Sequence, residues 1–160
     1  MTLQTQFKQE LTKLGNGGRA TLVAQDGPRH LACEVSECNS LAVSFTMLRL
    51  ATSELASASV ADLKRISLAL SQRLTYLLEP ISPIEIDAEA CAVQLRSNPP
   101  QRDDDGRSYF ELLVRRGGEL ALCRYHKDNG GTRQPVSATV TGEVLIRLVG
   151  DFDAVLDEAI

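Results

Sequence analysis

A β-hairpin within residues 109–125 constrains the fold of this 160-residue chain more than any other stretch. Phe110 and Leu112 alternate with polar neighbours along its first strand, and such alternation is typical of a strand with one buried face. Gly117-Gly118 separates this run from a second one, and two glycines can both adopt the positive φ of a two-residue primed turn. The sequence therefore predicts an antiparallel sheet around this hairpin, with a two-residue turn at its tip.

Helical periodicity predicts three helices elsewhere in the chain. One covers residues 2–14, a second begins at Ser59 and carries its apolar stripe to Leu77, and a third covers residues 142–158. Ser59 and Asp62 have the spacing of a capping box at the start of the second helix.

Shorter alternating runs predict two antiparallel meanders. Strands are expected at residues 19–25, 30–36, 41–50, 84–87 and 91–96, and in the hairpin. A short edge strand is expected at residues 136–140. Residues 97–107, with adjacent prolines and three successive aspartates, are expected to form a solvated, mobile loop. The order helix, antiparallel meander, helix, antiparallel meander, helix predicts a single α+β domain over residues 1–160, with 1–56 and 57–160 as candidate halves. Its helices are expected to pack on one face of the antiparallel sheet.

Charge and composition disfavour several classes of function. The chain has 17 basic and 21 acidic side chains, a net charge of −4, whereas a surface that follows phosphates needs a cationic excess. No apolar run reaches the roughly 20 residues that span a bilayer, and residues 1–14 lack the apolar segment of a signal peptide. We therefore expect a cytoplasmic protein that binds neither nucleic acid nor membrane.

Cysteine and histidine are the residues with the greatest chemical potential here. In a reducing cytoplasm, the four cysteines are expected to be free thiols that behave as small buried hydrophobes. Cys123 and His126, at the end of the hairpin, define the alternative of a small cysteine/histidine-dependent enzyme with a cleft beside them. That enzyme would need a lowered thiol pKa, and alternation places the two side chains on opposite faces unless the strand ends before His126.

Two groups of residues have the chemistry of zinc ligands. They are His30, Cys33 and Cys38 in the first meander, and Cys123, His126 and Asp128 after the hairpin. Their spacing does not match a zinc ribbon or finger, and the aspartates at 103–105 lack the alternate spacing of an EF-hand loop. Phosphate- and dinucleotide-binding glycine motifs are also absent from the sequence, so we expect neither a metal nor a cofactor.

Residues 96–133 contain eight basic and six acidic side chains, a local excess of two. The candidate interaction residues in this span are Arg115, Arg116, Arg124 and Tyr125. One hypothesis is a basic sheet face that receives an acidic partner, such as the acidic last helix of another copy. The alternative is a solubilised face with cross-strand ion pairs. The last helix, which Thr141 is placed to cap, has aspartates and a glutamate near its C-terminus, where the helix dipole disfavours anions.

The order of helices and strands resembles the type III secretion chaperones and related bacterial domains that bind polypeptide partners. The resemblance covers most of the chain and rests on topology. It implies a non-enzymatic homodimer that holds an extended partner segment against its sheet and helices. Apolar character past the second helix, at Leu77, Leu78, Ile81 and Ile84, agrees with an interaction surface. We therefore expect a small chaperone-like binding or adaptor protein, dimeric and without catalysis.

Overall fold

Residues 1–159, which the computed structural model describes, form three α-helices, one 3-10 helix and ten β-strands. In chain order these are α1 (Leu3–Leu14), β1 (Ala20–Asp26), β2 (Arg29–Cys38), β3 (Val43–Thr52), the 3-10 helix (Ser53–Leu55), α2 (Val60–Arg73), β4 (Ile81–Asp87), β5 (Ala92–Ser97), β6 (Gln101–Arg102), β7 (Gly106–Arg115), β8 (Glu119–Asp128), β9 (Arg133–Val136), β10 (Ala138–Val140) and α3 (Gly142–Ala159). The strands form one antiparallel sheet in the order β1-β2-β3-β8-β7-β5-β4, with β10 on β3, β6 on β7 and β9 on β8. The α+β class and the predicted order of helices and meanders are confirmed.

The two meanders join where β3 pairs with β8. Leu48, Leu122, Leu112 and Leu95 lie opposite one another across four strands, and all four side chains are fully buried. They belong to one core with the helices, in which α1 packs on β1, α2 packs on β4 and β5, and α3 contacts both other helices. We call the helix-covered side of the sheet the inner face and the opposite side, on which Arg49 is exposed, the outer face.

Each α-helix begins at a side-chain cap, and the sequence pattern indicates those of α2 and α3. Thr2 accepts a hydrogen bond from the backbone N–H of Thr5, and Thr141 Oγ1 accepts one from Val144 at 3.2 Å. Ser59 and Asp62 form the reciprocal capping box of α2. Such caps satisfy backbone donors that have no partner inside the helix.

Helix α2 ends earlier than its apolar stripe predicts. The stripe continues to Leu77, whereas the helix ends at Arg73 and the backbone N–H of Leu74 makes its last bond, to Leu70. Leu74 and Leu77 are nevertheless buried, because the irregular segment that follows the helix keeps them against the core. This segment, residues 74–80, forms one wall of the cleft described below.

The hairpin exists, but the prediction of a two-residue turn is wrong. Arg115 pairs with Glu119, which leaves a three-residue loop in which Gly118 alone has positive φ, at 100°. The backbone N–H of Gly118 donates to Arg115, as in a type I turn followed by one left-handed residue. The loop also docks on β3, because the N–H of Thr52 donates to the carbonyl oxygen of Gly118 at 2.7 Å.

Two further predictions about strands need correction. Residues 97–107 include β6, which pairs with β7, and are therefore not loop throughout. Residues 136–140 do not form one strand, because β9 pairs with β8 and β10 pairs with β3. Beyond their shared pairs, β3 and β8 diverge, and β9 and β10 pair with the diverging ends on either side of this fork.

The acidic face of α3 is paired within the same chain. Arg29 contacts Asp153 at 2.6 Å and Asp157 at 2.7 Å, while Arg73 bonds Asp151 and Glu158. The carboxylates near the helix C-terminus are thus compensated by arginines of β2 and α2. These carboxylates therefore have basic partners without a second copy of the chain.

Candidate functional site

A cleft of about 810 Å³ opens beside the fork in the sheet. It lies between the segment that follows α2, the turn from β5 to β6, strands β7, β8 and β10, and the start of α3. Its wall is largely apolar, with Leu77, Pro80, Phe110, Val140 and Val144 among the lining residues. The volume lies within the range of about 300–1,000 Å³ that is usual for ligand pockets.

One ion pair stands out in this apolar wall. Arg124 Nη2 donates to Glu79 Oε2 at 2.9 Å and to Gln101 Oε1 at 3.1 Å. The guanidinium carbon lies 4.6 Å from the centre of the Phe110 ring, a cation–π contact. The side chains of Glu79 and Arg124 are 11% and 12% exposed, so this pair is largely removed from water.

The ion pair is incompletely satisfied. Within residues 1–159, Glu79 Oε1 and Arg124 Nη1 are buried and have no hydrogen-bond partner. Unsatisfied buried polar atoms are few in native proteins and call for an explanation, such as a functional role or a bound group. An apolar cleft with a small number of convergent polar groups is the usual form of a binding site.

Two residues of α3 contact Tyr76, which forms part of the cleft wall. The Tyr76 hydroxyl donates to Asp151 Oδ2 at 2.6 Å, and the Arg147 guanidinium lies 4.0 Å from the ring centre. Burial, followed by the hydrogen bond to Asp151, raises the pKa of Tyr76 well above its usual value. The phenol therefore stays neutral and acts as a fixed structural donor.

Leu78 projects at the rim of the cleft. Its side chain is 96% exposed, and its φ of +65° is uncommon for a residue other than glycine. Its neighbour Leu77 is buried, so the backbone conformation here places two adjacent leucines in opposite environments. An exposed leucine beside an apolar cleft extends the surface that a partner can contact.

The predicted interaction residues do not form one surface. Arg124 lies on the inner face and lines the cleft, whereas Tyr125 lies on the outer face because adjacent strand residues alternate. Arg115 pairs with Glu119 at the end of the hairpin, and Arg116 is exposed in its loop. These four residues therefore do not share one face of the sheet, and their role as an interaction surface stays a prediction.

The structure does not bring Cys123 and His126 together. Strand β8 continues unbroken to Asp128, so the two side chains project from opposite faces. Burial raises the pKa of the Cys123 thiol, and the charge of Glu111 on the neighbouring strand raises it further. Both effects disfavour the thiolate that a cysteine nucleophile requires.

His126 instead bonds to Ser108 and Asp128, a contact that the sequence pattern did not reveal. Its Nδ1 lies 2.8 Å from Ser108 Oγ, and its Nε2 lies 3.0 Å from Asp128 Oδ1. Ser108 is directly opposite His126 across the two strands, and Asp128 is two residues further along β8. The three groups thus form a cross-strand polar row, and none of them lines the cleft.

A second buried charge lies on the outer face. Glu111, 5% exposed, bonds to Arg96 at 3.5 Å and to Arg133, and each arginine also lies over a tyrosine ring. These rings, of Tyr109 and Tyr125, lie 6.1 Å apart. The cluster connects β5, β7, β8 and β9 and fills the outer face where no helix covers it.

The residues considered for zinc do not converge. His30 is exposed while Cys33 and Cys38 are buried, and over residues 1–159 no group of three or more His, Cys, Asp and Glu side chains is placed to hold a metal ion. Asp103 accepts bonds from the backbone N–H groups of Asp105 and Gly106, as expected of a turn.

None of the helices in the described part of the chain has the length and apolar character needed to cross a membrane.

Sequence reasoning missed Glu79 and Gln101 as cleft residues. The available signal for Glu79 was its position, a lone acid between an apolar run and Pro80. Gln101 had no comparable signal, because β6 is only two residues long and has no readable period.

No protein-family model, no curated protein and no solved structure matches this chain.

Proposed function

We propose that the protein is a non-catalytic, chaperone-like binding or adaptor protein of the cytoplasm, and that it holds a polypeptide segment in the cleft. The observation that carries this proposal is the cleft itself, about 810 Å³ with a mainly apolar wall and one under-bonded ion pair. Exposed Leu78 adds apolar surface at the rim. The net charge of −4 favours a polypeptide over a nucleic acid.

Site-specific photo-crosslinking in the native host tests this proposal. A benzophenone amino acid is placed at Leu78, at the rim, and in a control variant at Leu68, which is 56% exposed on α2 and does not line the cleft. We expect a polypeptide adduct from position 78 that position 68 does not form. The adduct should disappear when Val144→Trp fills the cleft, provided that thermal unfolding shows this variant to be folded.

Equal adducts from both positions would indicate non-specific contact and contradict the proposal. Absence of a polypeptide adduct at position 78, with the label intact by mass spectrometry, would also contradict it. Native mass spectrometry of the purified protein provides a separate check, because a retained small molecule would point to a different class of ligand.

We also propose that the chain forms a homodimer. Ile84 and Ile86 are each 46% exposed on β4, which is a terminal strand of the sheet and has unpaired backbone groups along its outer edge. We expect the unmodified protein to sediment as a dimer and the Ile84→Lys/Ile86→Lys variant as a monomer, with Leu68→Lys as the matched surface control. If the unmodified protein remains strictly monomeric at high concentration, this dimer is ruled out.

The alternative of a cysteine/histidine-dependent enzyme has no support from the geometry. Cys123 and His126 project from opposite faces, and the pKa of Cys123 is raised rather than lowered. We therefore propose no reaction for this pair.

A further inference from the structure

The unsatisfied atoms of the Glu79–Arg124 pair have complementary chemistry. Over residues 1–159, Glu79 Oε1 lacks a donor and Arg124 Nη1 lacks an acceptor, although the two side chains are already joined through Oε2 and Nη2. Leaving both atoms unbonded is unfavourable, so the site favours a ligand group that supplies one donor and one acceptor together.

The arginine of this pair is held in place by its neighbours. Gln101 accepts from Arg124 Nη2, and the Phe110 ring lies beneath the guanidinium. Both unbonded atoms are buried in the unliganded protein, so a ligand that reaches them from the cleft must displace part of the direct Glu79–Arg124 contact. The broad terminal torsion of a glutamate allows this rearrangement while the backbone stays in place. The pair can therefore present both a donor and an acceptor to a ligand.

Charge distinguishes the ligand groups that could bind here. A carboxylate would bond to Arg124 but would face the negative charge of Glu79 and leave Oε1 without a donor. An ammonium would bond to Glu79 but would face Arg124 and leave Nη1 without an acceptor. A neutral primary carboxamide supplies an N–H and a carbonyl oxygen that face the same way, and it satisfies both atoms without adding charge to a largely buried site.

We propose that the cleft binds an apolar polypeptide segment through the side-chain carboxamide of an asparagine or glutamine, whose N–H donates to Glu79 and whose carbonyl oxygen accepts from Arg124. A trans peptide group does not fit, because its N–H and carbonyl oxygen point in opposite directions. This inference rests on the proposed function and specifies the chemistry that the cleft recognises. The prolines and Phe110 in the wall suit the apolar side chains on either side of that asparagine or glutamine.

A matched series of three small probes tests the recognition of an amide. 4-Methylpentanamide, 4-methylpentanoate and 4-methylpentylammonium share a leucine-like tail and differ in the polar group. Each is titrated into ¹⁵N-labelled full-length protein at neutral pH, and the backbone N–H resonances of Thr139 and Val140, which line the cleft, are followed by NMR. We expect the amide to bind about tenfold more tightly than the carboxylate or the ammonium, as a buried pair of hydrogen bonds would give.

A double variant separates recognition from folding. Glu79→Met/Arg124→Met replaces a buried ion pair by apolar side chains of similar length, a change that proteins often tolerate. We expect this variant to fold, to keep an apolar cleft and to lose the tenfold preference for the amide. Val144→Trp, which fills the cleft, should abolish the response to all three probes.

Equal binding of the three probes, tighter binding of the carboxylate or the ammonium, or no response of the cleft resonances to the amide would each overturn the inference. So would a folded double variant that keeps the preference for the amide. If photo-crosslinking still captures a polypeptide at position 78, the proposed function stands and only the amide recognition fails. If neither experiment gives its expected result, both proposals fail.

Discussion

Single residues of the cleft acquire their roles from partners that are remote along the chain. Glu79 and Arg124 are 45 residues apart in sequence, and the hydrogen bond between them forms only because α2 and β8 are packed into one core. Alternation alone places Arg124 on the same face as Leu120 and Leu122. What it meets there depends on the irregular segment after α2, which no periodicity describes.

Substitution of Gly118 tests the assigned conformation of the hairpin loop at the scale of a single residue. A Cβ at this position would collide with the carbonyl oxygen of Thr52, and its φ of +100° is one that side chains rarely adopt. We expect Gly118→Ala to lower the free energy of unfolding by about 2 kcal/mol or more, because strain and the collision add together. Urea denaturation followed by circular dichroism measures the change.

Gly117 is the matched control for this substitution. It has no atom within 4 Å of a built Cβ, and its φ is not in the left-handed region. Gly117→Ala should therefore change the free energy of unfolding by less than about 0.5 kcal/mol. Equal destabilisation by the two substitutions would contradict a three-residue loop in which Gly118 is the single left-handed residue.

At the scale of elements, a side chain of α1 blocks part of an open edge of the sheet. The carboxamide of Gln6 donates to the carbonyl oxygen of Gln25 at 2.6 Å and accepts from its N–H at 3.0 Å. Strand β1 is the outermost strand on this side, so these bonds occupy backbone groups that a further strand would need. Gln6 thus acts as the partner of one residue of β1.

We expect Gln6→Ala to expose this part of the edge. The N–H of Gln25 should lose its acceptor and exchange with solvent faster, because water replaces a protecting hydrogen bond. Hydrogen exchange measured by NMR follows this amide directly. Gln9→Ala, an exposed change on the same helix, should leave the exchange of Gln25 unaltered, and unchanged exchange in both variants would contradict the assigned role of Gln6.

The elements that were predictable are those with a long period or a local cap. Helices α1 and α3 lie within one residue of their expected bounds, since apolar spacing and the caps Thr2 and Thr141 depend only on nearby residues. Strands β6 and β9 were missed or merged because runs of two and four residues are too short to show alternation. They exist because β7 and β8 extend far enough to offer them backbone partners.

At the scale of the whole molecule, Arg29 connects the first meander to α3. It bonds Glu54 at 2.7 Å on one side and Asp153 and Asp157 on the other, so one guanidinium links β2, the 3-10 helix and the last helix. The hydrogen bond to Arg29 is the largest cause of a lowered pKa at Glu54. The pairing of a charged carboxylate in the folded state therefore contributes to stability.

This pairing predicts how stability depends on pH. A lowered pKa in the folded state gives stabilisation that is present above the unfolded value of about 4.3 and is lost as pH falls through the folded pKa. We expect Glu54→Gln to be less stable than the unmodified protein at pH 7. As the pH falls below about 4.3, the variant should lose less of its free energy of unfolding than the unmodified protein does. Urea denaturation across this range measures both effects. Exposed Glu89→Gln is the control, and a Glu54→Gln profile parallel to that of the unmodified protein would contradict the prediction.

The sequence by itself determined the α+β class, the order of helices and meanders, the capped starts of α2 and α3 and the presence of the hairpin. These features follow from periodicity and capping, which act over a few residues. Tertiary structure alone decided the pairing of β3 with β8, the fork filled by β9 and β10, and the cleft with its Glu79–Arg124 pair. These contacts join residues far apart in the chain, and their free energy comes from burial and bonding that exist only once the two meanders share a core.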